Sequence, residues 1–176
     1  MRLTLFSLII YAFICKALYA ETSELNLKSY QAHEWQDTES KSFLYRTASP
    51  EKMKNEKTYP LLVFLHGAGG RGSDNMGQLL DAGGLQAFEK AGLRTTLQSH
   101  IFVGQVPKGE RWVDVHWSLL GHKMPKISNS MRMAFEAIDA YIEYPENQVD
   151  SKRIYVMGLS MGGYGTWDAI QRRPNF

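Results

Sequence analysis

The sequence is nearly free of cysteine. Its 176 residues hold one, Cys15, and a single thiol can close no intrachain disulfide and build no thiolate metal site. Net charge is almost absent as well. The formal sum is +2, and the only charges in residues 1–20 are Arg2 and Lys16, so residues 21–176 carry 18 of each sign. A neutral body offers no electrostatic footprint for nucleic acid or for an anionic membrane surface. Long apolar runs are missing too. The longest uncharged stretch near the start, Leu3–Cys15, has 13 residues, whereas a membrane-spanning helix needs about 20. There is no internal repeat and no low-complexity tract. No H-E-x-x-H occurs, and Asp114, His116 and His122 share a polar loop in which solvation is the simpler reading, so no metal is expected. The glycine-rich run lacks the Lys-Ser or Lys-Thr ending of a phosphate loop, so no cofactor is expected either. Composition is 44% apolar, 12% aromatic and 22% charged, which argues for one globular domain rather than a disordered or collagen-like chain.

What is present begins with a leader. A basic Arg2, a short apolar core and the small-residue exit Ala17-Leu18-Tyr19-Ala20 fit a secretory signal peptide over residues 1–20, cut after Ala20. That predicts a secreted or periplasmic protein with no membrane attachment after cleavage. Residues 42–46 read as a short strand. The unbroken apolar run Leu61–Leu65, and the runs Ile101–Val106 and Arg153–Met157, read as strands buried on both faces of a parallel sheet. A helical stretch covers Leu85–Ala91. Met131, Phe135, Ile138 and Ile142 mark one helix face that Pro145 ends, and Met161–Arg173 forms a last helix. Strands alternating with helices predict an α/β fold with a mostly parallel sheet flanked by helices.

The chemistry concentrates in Gly158-Leu159-Ser160-Met161-Gly162, a G-x-S-x-G between an apolar strand and a helix. In that setting it predicts a nucleophile elbow. Ser160 sits on a strained turn that exposes its Oγ, and the glycines two residues before and after let strand and helix backbones approach. The helix amide end favours negative charge there. A second glycine cluster, His66-Gly67-Ala68-Gly69-Gly70-Arg71-Gly72, follows the Leu61–Leu65 strand. Gly67, Gly69 and Gly72 also fit the dinucleotide pattern G-x-G-x-x-G, but the prolonged loop and missing second strand oppose that reading. The cluster reads better as a loop whose backbone N–H at Ala68 joins that of Met161 in an oxyanion hole, with His66 fixing the loop rather than acting as a base.

These residues, with Gln105–Trp112 and Arg153–Trp167, resemble the α/β-hydrolases, in particular the secreted carboxylesterases and predicted peptidases related to feruloyl esterases and polyhydroxybutyrate depolymerases. The resemblance spans most of residues 42–174. It implies a Ser-His-Asp hydrolase acting on a small-molecule or polymer-borne ester, with Ser160 as nucleophile, Ala68 and Met161 as oxyanion donors, and Trp112 in a loop near the substrate. Packing under that loop is an equal reading for a lone tryptophan. A serine peptidase of the same fold and a non-catalytic remnant remain as alternatives. In this fold the acid and the histidine follow the nucleophile, yet His33, His66, His100, His116 and His122 all precede Ser160. His116 or His122 would have to reach over the site, and Asp168 lies about 12 Å down the last helix. Residues 21–176 are therefore read as a partial α/β-hydrolase domain, incomplete at the C-terminus, with the acid and histidine beyond residue 176. The 176-residue chain alone is expected to turn over a short-chain p-nitrophenyl ester no faster than background; turnover abolished by Ser160→Ala would refute this.

Overall fold

The structure, a computed structural model, describes residues 25–174 and 176. The signal peptide expected over residues 1–20 lies outside the described residues. Strands β1 (Gln31–Gln36), β2 (Ser42–Ala48), β3 (Tyr59–Leu65), β4 (His100–Gln105) and β5 (Val149–Gly158) form one sheet in the order β1-β2-β4-β3-β5. β3 runs parallel to β4 and β5, while β2 is antiparallel to β1 and to β4. The sheet is thus mixed: β2 alone is reversed, and the parallel part is β4-β3-β5. The helices are α1 (Gly77–Leu80), α2 (Gly84–Lys90), α3 (Leu93–Leu97), α4 (Asn129–Glu143) and α5 (Met161–Arg172).

β3 is buried at every position, and its side chains alternate between two cores, as the period of two in a strand requires. Leu61, Val63 and Leu65 face α4 and α5, packing with Phe102, Phe135, Ile138 and Met161. Leu62 and Phe64 face the other layer, where Leu79, Leu85 and Phe88 cover Ile101 and Val103. Each such side chain contributes roughly 2 kcal/mol on leaving water, so the all-apolar run reflects a strand covered twice. The helices between β3 and β4 lie on one face, and α4 and α5 lie on the other. Such a change of side opens a crevice at the carboxyl ends of neighbouring strands, where α/β sheets bind ligands.

α4 starts at an N-cap, Ser128, whose Oγ accepts from Met131 N–H at 3.0 Å and donates to the Trp112 carbonyl at 2.7 Å. It buries Met131, Phe135 and Ile138 and ends before Pro145. β1 has no apolar run to announce it. It forms because the Asp37 carboxylate accepts from the N–H groups of Glu39 and Lys41, both at 2.9 Å, and closes the hairpin to β2. Among the described residues β5 pairs on one side only, and its Tyr155 is 50% exposed.

His100 opens β4 fully buried, with Nδ1 2.9 Å from Tyr141 Oη. Burial disfavours its imidazolium and lowers its pKa from 6.5 to about 4, against a smaller upward pull from the Asn147 backbone. Burial also lowers the pKa values of His33 and His66. The unfolded chain binds these protons near pH 6.5 and the folded chain only at lower pH, for His100 near 4. Stability is therefore complete above 6.5 and lost as pH falls toward 4. Urea unfolding should show this decline, and His100→Gln should remove up to about 3 kcal/mol of it. An unchanged slope in that variant would assign the acid sensitivity elsewhere.

Candidate active site

β3 and β5 are parallel neighbours with Leu65 in register with Gly158, so the segments that follow them leave the sheet side by side. After β5 the Leu159 N–H donates to the Leu65 carbonyl at 3.2 Å, and Gly162 N–H donates to the Leu159 carbonyl at 2.8 Å. Between them Ser160 takes φ 53°, ψ −114°. A positive φ strains any residue with a Cβ, by about 1–3 kcal/mol. The turn persists because its neighbours hold it. The Gly162 backbone lies so close to the Leu65 carbonyl that a Cβ there would overlap it, and a Cβ on Gly158 would overlap the Gly162 carbonyl. Ser160 is exposed at the N-terminus of α5, and its Oγ makes no hydrogen bond among the described residues.

The glycine loop faces this turn. A Cβ on Gly67 would stand 3.5 Å from Ser160 Cβ and 3.3 Å from the Leu159 carbonyl oxygen. Gly67 is extended (φ −74°, ψ −177°), and Ala68–Gly70 form a single 3₁₀ turn. Ala68 opens that turn and Met161 opens α5, the position whose amide has no partner within a helix. Neither N–H donates a hydrogen bond among the described residues. Met161 follows Ser160 in the chain, and Ala68 follows Gly67, the loop residue that approaches Ser160.

His66 is fully buried and both its nitrogens are used. Nδ1–H donates to the Gly67 carbonyl at 2.5 Å, and Nε2 accepts from Val106 N–H at 3.0 Å. That second bond needs a neutral ring, and burial keeps the pKa low. His66 ties the loop to the end of β4. The expectation that Trp112 touches substrate is corrected by its position. The side chain is fully buried, Nε1–H donates to the His66 carbonyl at 3.0 Å, and the ring meets Phe43 and His66 edge-on. Trp112 has no surface to offer a substrate and packs beneath the loop.

Further supports carried no sequence signal. The Asp74 carboxylate accepts from Gly77 N–H at 3.0 Å, Met76 N–H at 2.9 Å and Gln105 Nε2 at 2.7 Å, and these bonds, led by Gly77, lower its pKa to about 2. Gln105 Nε2 also donates to the Gly70 carbonyl at 3.2 Å. Asp81 lies over the loop. Its Oδ2 is buried with no hydrogen-bond partner among the described residues, 2.7 Å from where a Cβ on Gly67 would stand. An aspartate in a glycine-rich segment reads as solvated, so only the fold reveals it.

The remaining histidines sit elsewhere. His33 bonds Thr47 Oγ1, His100 bonds Tyr141, His116 bonds Ser118 Oγ at 2.8 Å, and His122 packs edge-on against Tyr164 at 5.7 Å. None hydrogen-bonds Ser160. Asp168 pairs with Arg172 at 2.7 Å. Along α5, Tyr164 and Trp167 line an apolar cleft of about 260 Å³ with Val113, Val115 and Met124.

The close approaches predict a contrast among the α5 glycines. Gly162→Ala should cost more than about 2 kcal/mol because backbone must move. Gly163→Ala, whose Cβ would meet nothing nearer than 3.9 Å, should stabilise by about 0.5–1 kcal/mol through helix propensity. Equal urea midpoints for the two variants would refute the packing.

No family model matches the chain, and no curated protein matches it. Solved structures do. One is a thermostable esterase with a TM-score of 0.72 and 30% identity, covering 85% of this chain and 39% of that one. Another is a ferulic acid esterase with a TM-score of 0.55 and 20% identity, covering 83% of this chain and 56% of that one, a likeness of fold alone. The chain thus spans well under two thirds of either neighbour's length. By its sheet, its flanking helices and these likenesses, the chain is related to the esterases of the α/β-hydrolase fold.

Proposed function

We propose that this chain carries the nucleophile and oxyanion hole of a serine carboxylesterase. The observation that carries the reading is Ser160, exposed at a positive φ beside the free N–H groups of Ala68 and Met161. The esterase neighbours support the same reading. In it, Ser160 Oγ attacks the ester carbonyl carbon while its proton passes to a general base. The carbonyl oxygen becomes an oxyanion held by the two amides. The tetrahedral intermediate collapses, the alcohol leaves with a proton, and an acyl-enzyme remains on Oγ. Water then attacks the acyl carbon and releases the carboxylic acid. None of the described histidines hydrogen-bonds Ser160, so in this reading the base and its orienting acid lie outside the described residues. Residues 1–20 act as a secretory leader in this reading, which places the enzyme outside the cytoplasm.

The test is hydrolysis of p-nitrophenyl butyrate by the full-length protein. Ser160→Ala should lower kcat by more than about 10⁴. Ala68→Pro removes one amide while suiting the first position of a turn after an extended residue. It should lower kcat by about 10²–10³ with little change in KM. Full activity in Ser160→Ala would overturn the nucleophile, and an unchanged kcat in Ala68→Pro would overturn the oxyanion hole.

A further inference from the structure

Along the β1–β2 edge of the sheet, the edge away from β5, a cleft of about 350 Å³ lies between the hairpin and the end of α4, within the size range of small-ligand sites. Ala48 pairs with Ile101 at the start of β4, so the nearby cleft residue Thr47 lies far from Ser160. Its walls are aromatic: His33, Trp35, Tyr45, Tyr141 and Tyr144. The other lining residues are Gln31, Thr47, Ser49, Ala140 and Asn147. None of the ten is Lys, Arg, Asp or Glu, in a chain that is 22% charged.

The walls are built before any ligand arrives. His33 stacks on Tyr45 at 4.8 Å, and Tyr45 stacks on Phe102 at 4.6 Å. His33 Nε2 lies 2.8 Å from Thr47 Oγ1, Trp35 Nε1–H donates to Glu136 at 3.3 Å, and Asn147 Nδ2–H donates to the Tyr141 carbonyl at 2.8 Å. These bonds fix rings and amide from behind. The Gln31 amide and the Tyr45 and Tyr144 hydroxyls make no hydrogen bond among the described residues.

We propose that this cleft binds a neutral saccharide. Aromatic faces carry negative charge, and those of Trp35 and Tyr144, which no ring covers among the described residues, suit the weakly positive C–H faces of a pyranose ring, while the stacked Tyr45 and the buried Tyr141 stiffen the wall behind them. Uncharged amides and hydroxyls both donate and accept, matching a ring of hydroxyl groups. No charged side chain lines the cleft, and the one carboxylate bonded to its wall, Glu136, is taken up by Trp35 and Arg132, so neither an anionic nor a cationic ligand is favoured. A purely apolar ligand would leave Gln31 and the tyrosine hydroxyls unpaired as it excluded water, at a cost for each. The site stands apart from Ser160, so it holds whether or not the esterase reading does.

Isothermal titration of the full-length protein with cellohexaose, xylohexaose and maltohexaose tests this, with hexagalacturonate as the charged control. At least one neutral hexaose should bind with a Kd of about 1 mM or tighter. Removing one aromatic face, as Trp35→Ala or Tyr144→Ala, should weaken binding about tenfold. Tyr144 is 57% exposed, so its variant keeps the fold even if Trp35→Ala does not. Both variants should hydrolyse p-nitrophenyl butyrate as the parent does, which separates this site from Ser160. Absence of binding by all three hexaoses at about 10 mM, equal binding of hexagalacturonate, or unchanged affinity in Tyr144→Ala would each overturn the proposal.

Discussion

Where α5 leaves the sheet, the backbone of its second residue, Gly162, rests against the carbonyl of Leu65, the last residue of β3. Any side chain there would push α5 outward. With the helix seated so closely, the Leu159 N–H reaches the same carbonyl, and the turn between them has no room for ordinary backbone angles. Ser160 takes the strain. Met161 is then buried in the core below while its amide stays free above. One backbone contact thus sets the direction of α5, the exposure of Ser160 and the place of an amide beside it. The apolar core that seats α5 supplies the energy that keeps a strained turn populated.

The facing loop is rigid for a different reason. It has little side chain of its own, so its shape comes from polar groups beneath it. His66 bridges the loop and the end of β4, Trp112 holds the His66 carbonyl, and Gln105 holds Gly70 and Asp74. Each bond is worth about 1 kcal/mol net, but leaving any one unmade would strand a buried polar group at greater cost. The loop is consequently held in one shape by the chain's own groups. Preorganised amides lose little reorganisation energy when charge develops on an oxygen between them. The same design requires His66 to stay neutral, which couples loop geometry to acidity.

Much of this was legible in the sequence where the cause is local. β3, β4, β5, α4 and α5 announce themselves through apolar runs or a helical period, because their burial demands those patterns. The elbow is legible because only glycine allows the approaches at 158 and 162. β1 is not, since an exposed edge strand of Gln, His and Glu has no apolar pattern and exists through pairing with β2. Trp112 misleads for a related reason. An aromatic residue in a long loop has no periodicity to say which way it points, and its place under His66 follows from contacts 46 residues apart. Asp81 is invisible until β3 and the short helices bring it over Gly67.

The elbow by itself cannot make Ser160 a nucleophile, and magnitudes show why. A helix N-terminus favours a nearby negative charge by about 0.3–1 kcal/mol, and by about 2 kcal/mol at best. Each pKa unit is worth about 1.4 kcal/mol, so α5 can lower a hydroxyl pKa by little more than one unit. A serine hydroxyl is a far weaker acid than so small a shift can offset, so the helix end alone leaves it protonated at neutral pH. On the proposed reading the amides of Ala68 and Met161 would not close that gap either, because an oxyanion hole acts on the charge formed after attack rather than on Oγ before it. Only a base that takes the proton as the bond to carbon forms removes the need for a free alkoxide. On the proposed reading, the described residues offer amides to hold an oxyanion and no group bonded to Ser160 that would take its proton. A histidine acting as that base would have to approach Oγ from the exposed side of the turn, since β3, the glycine loop and α5 pack against the others.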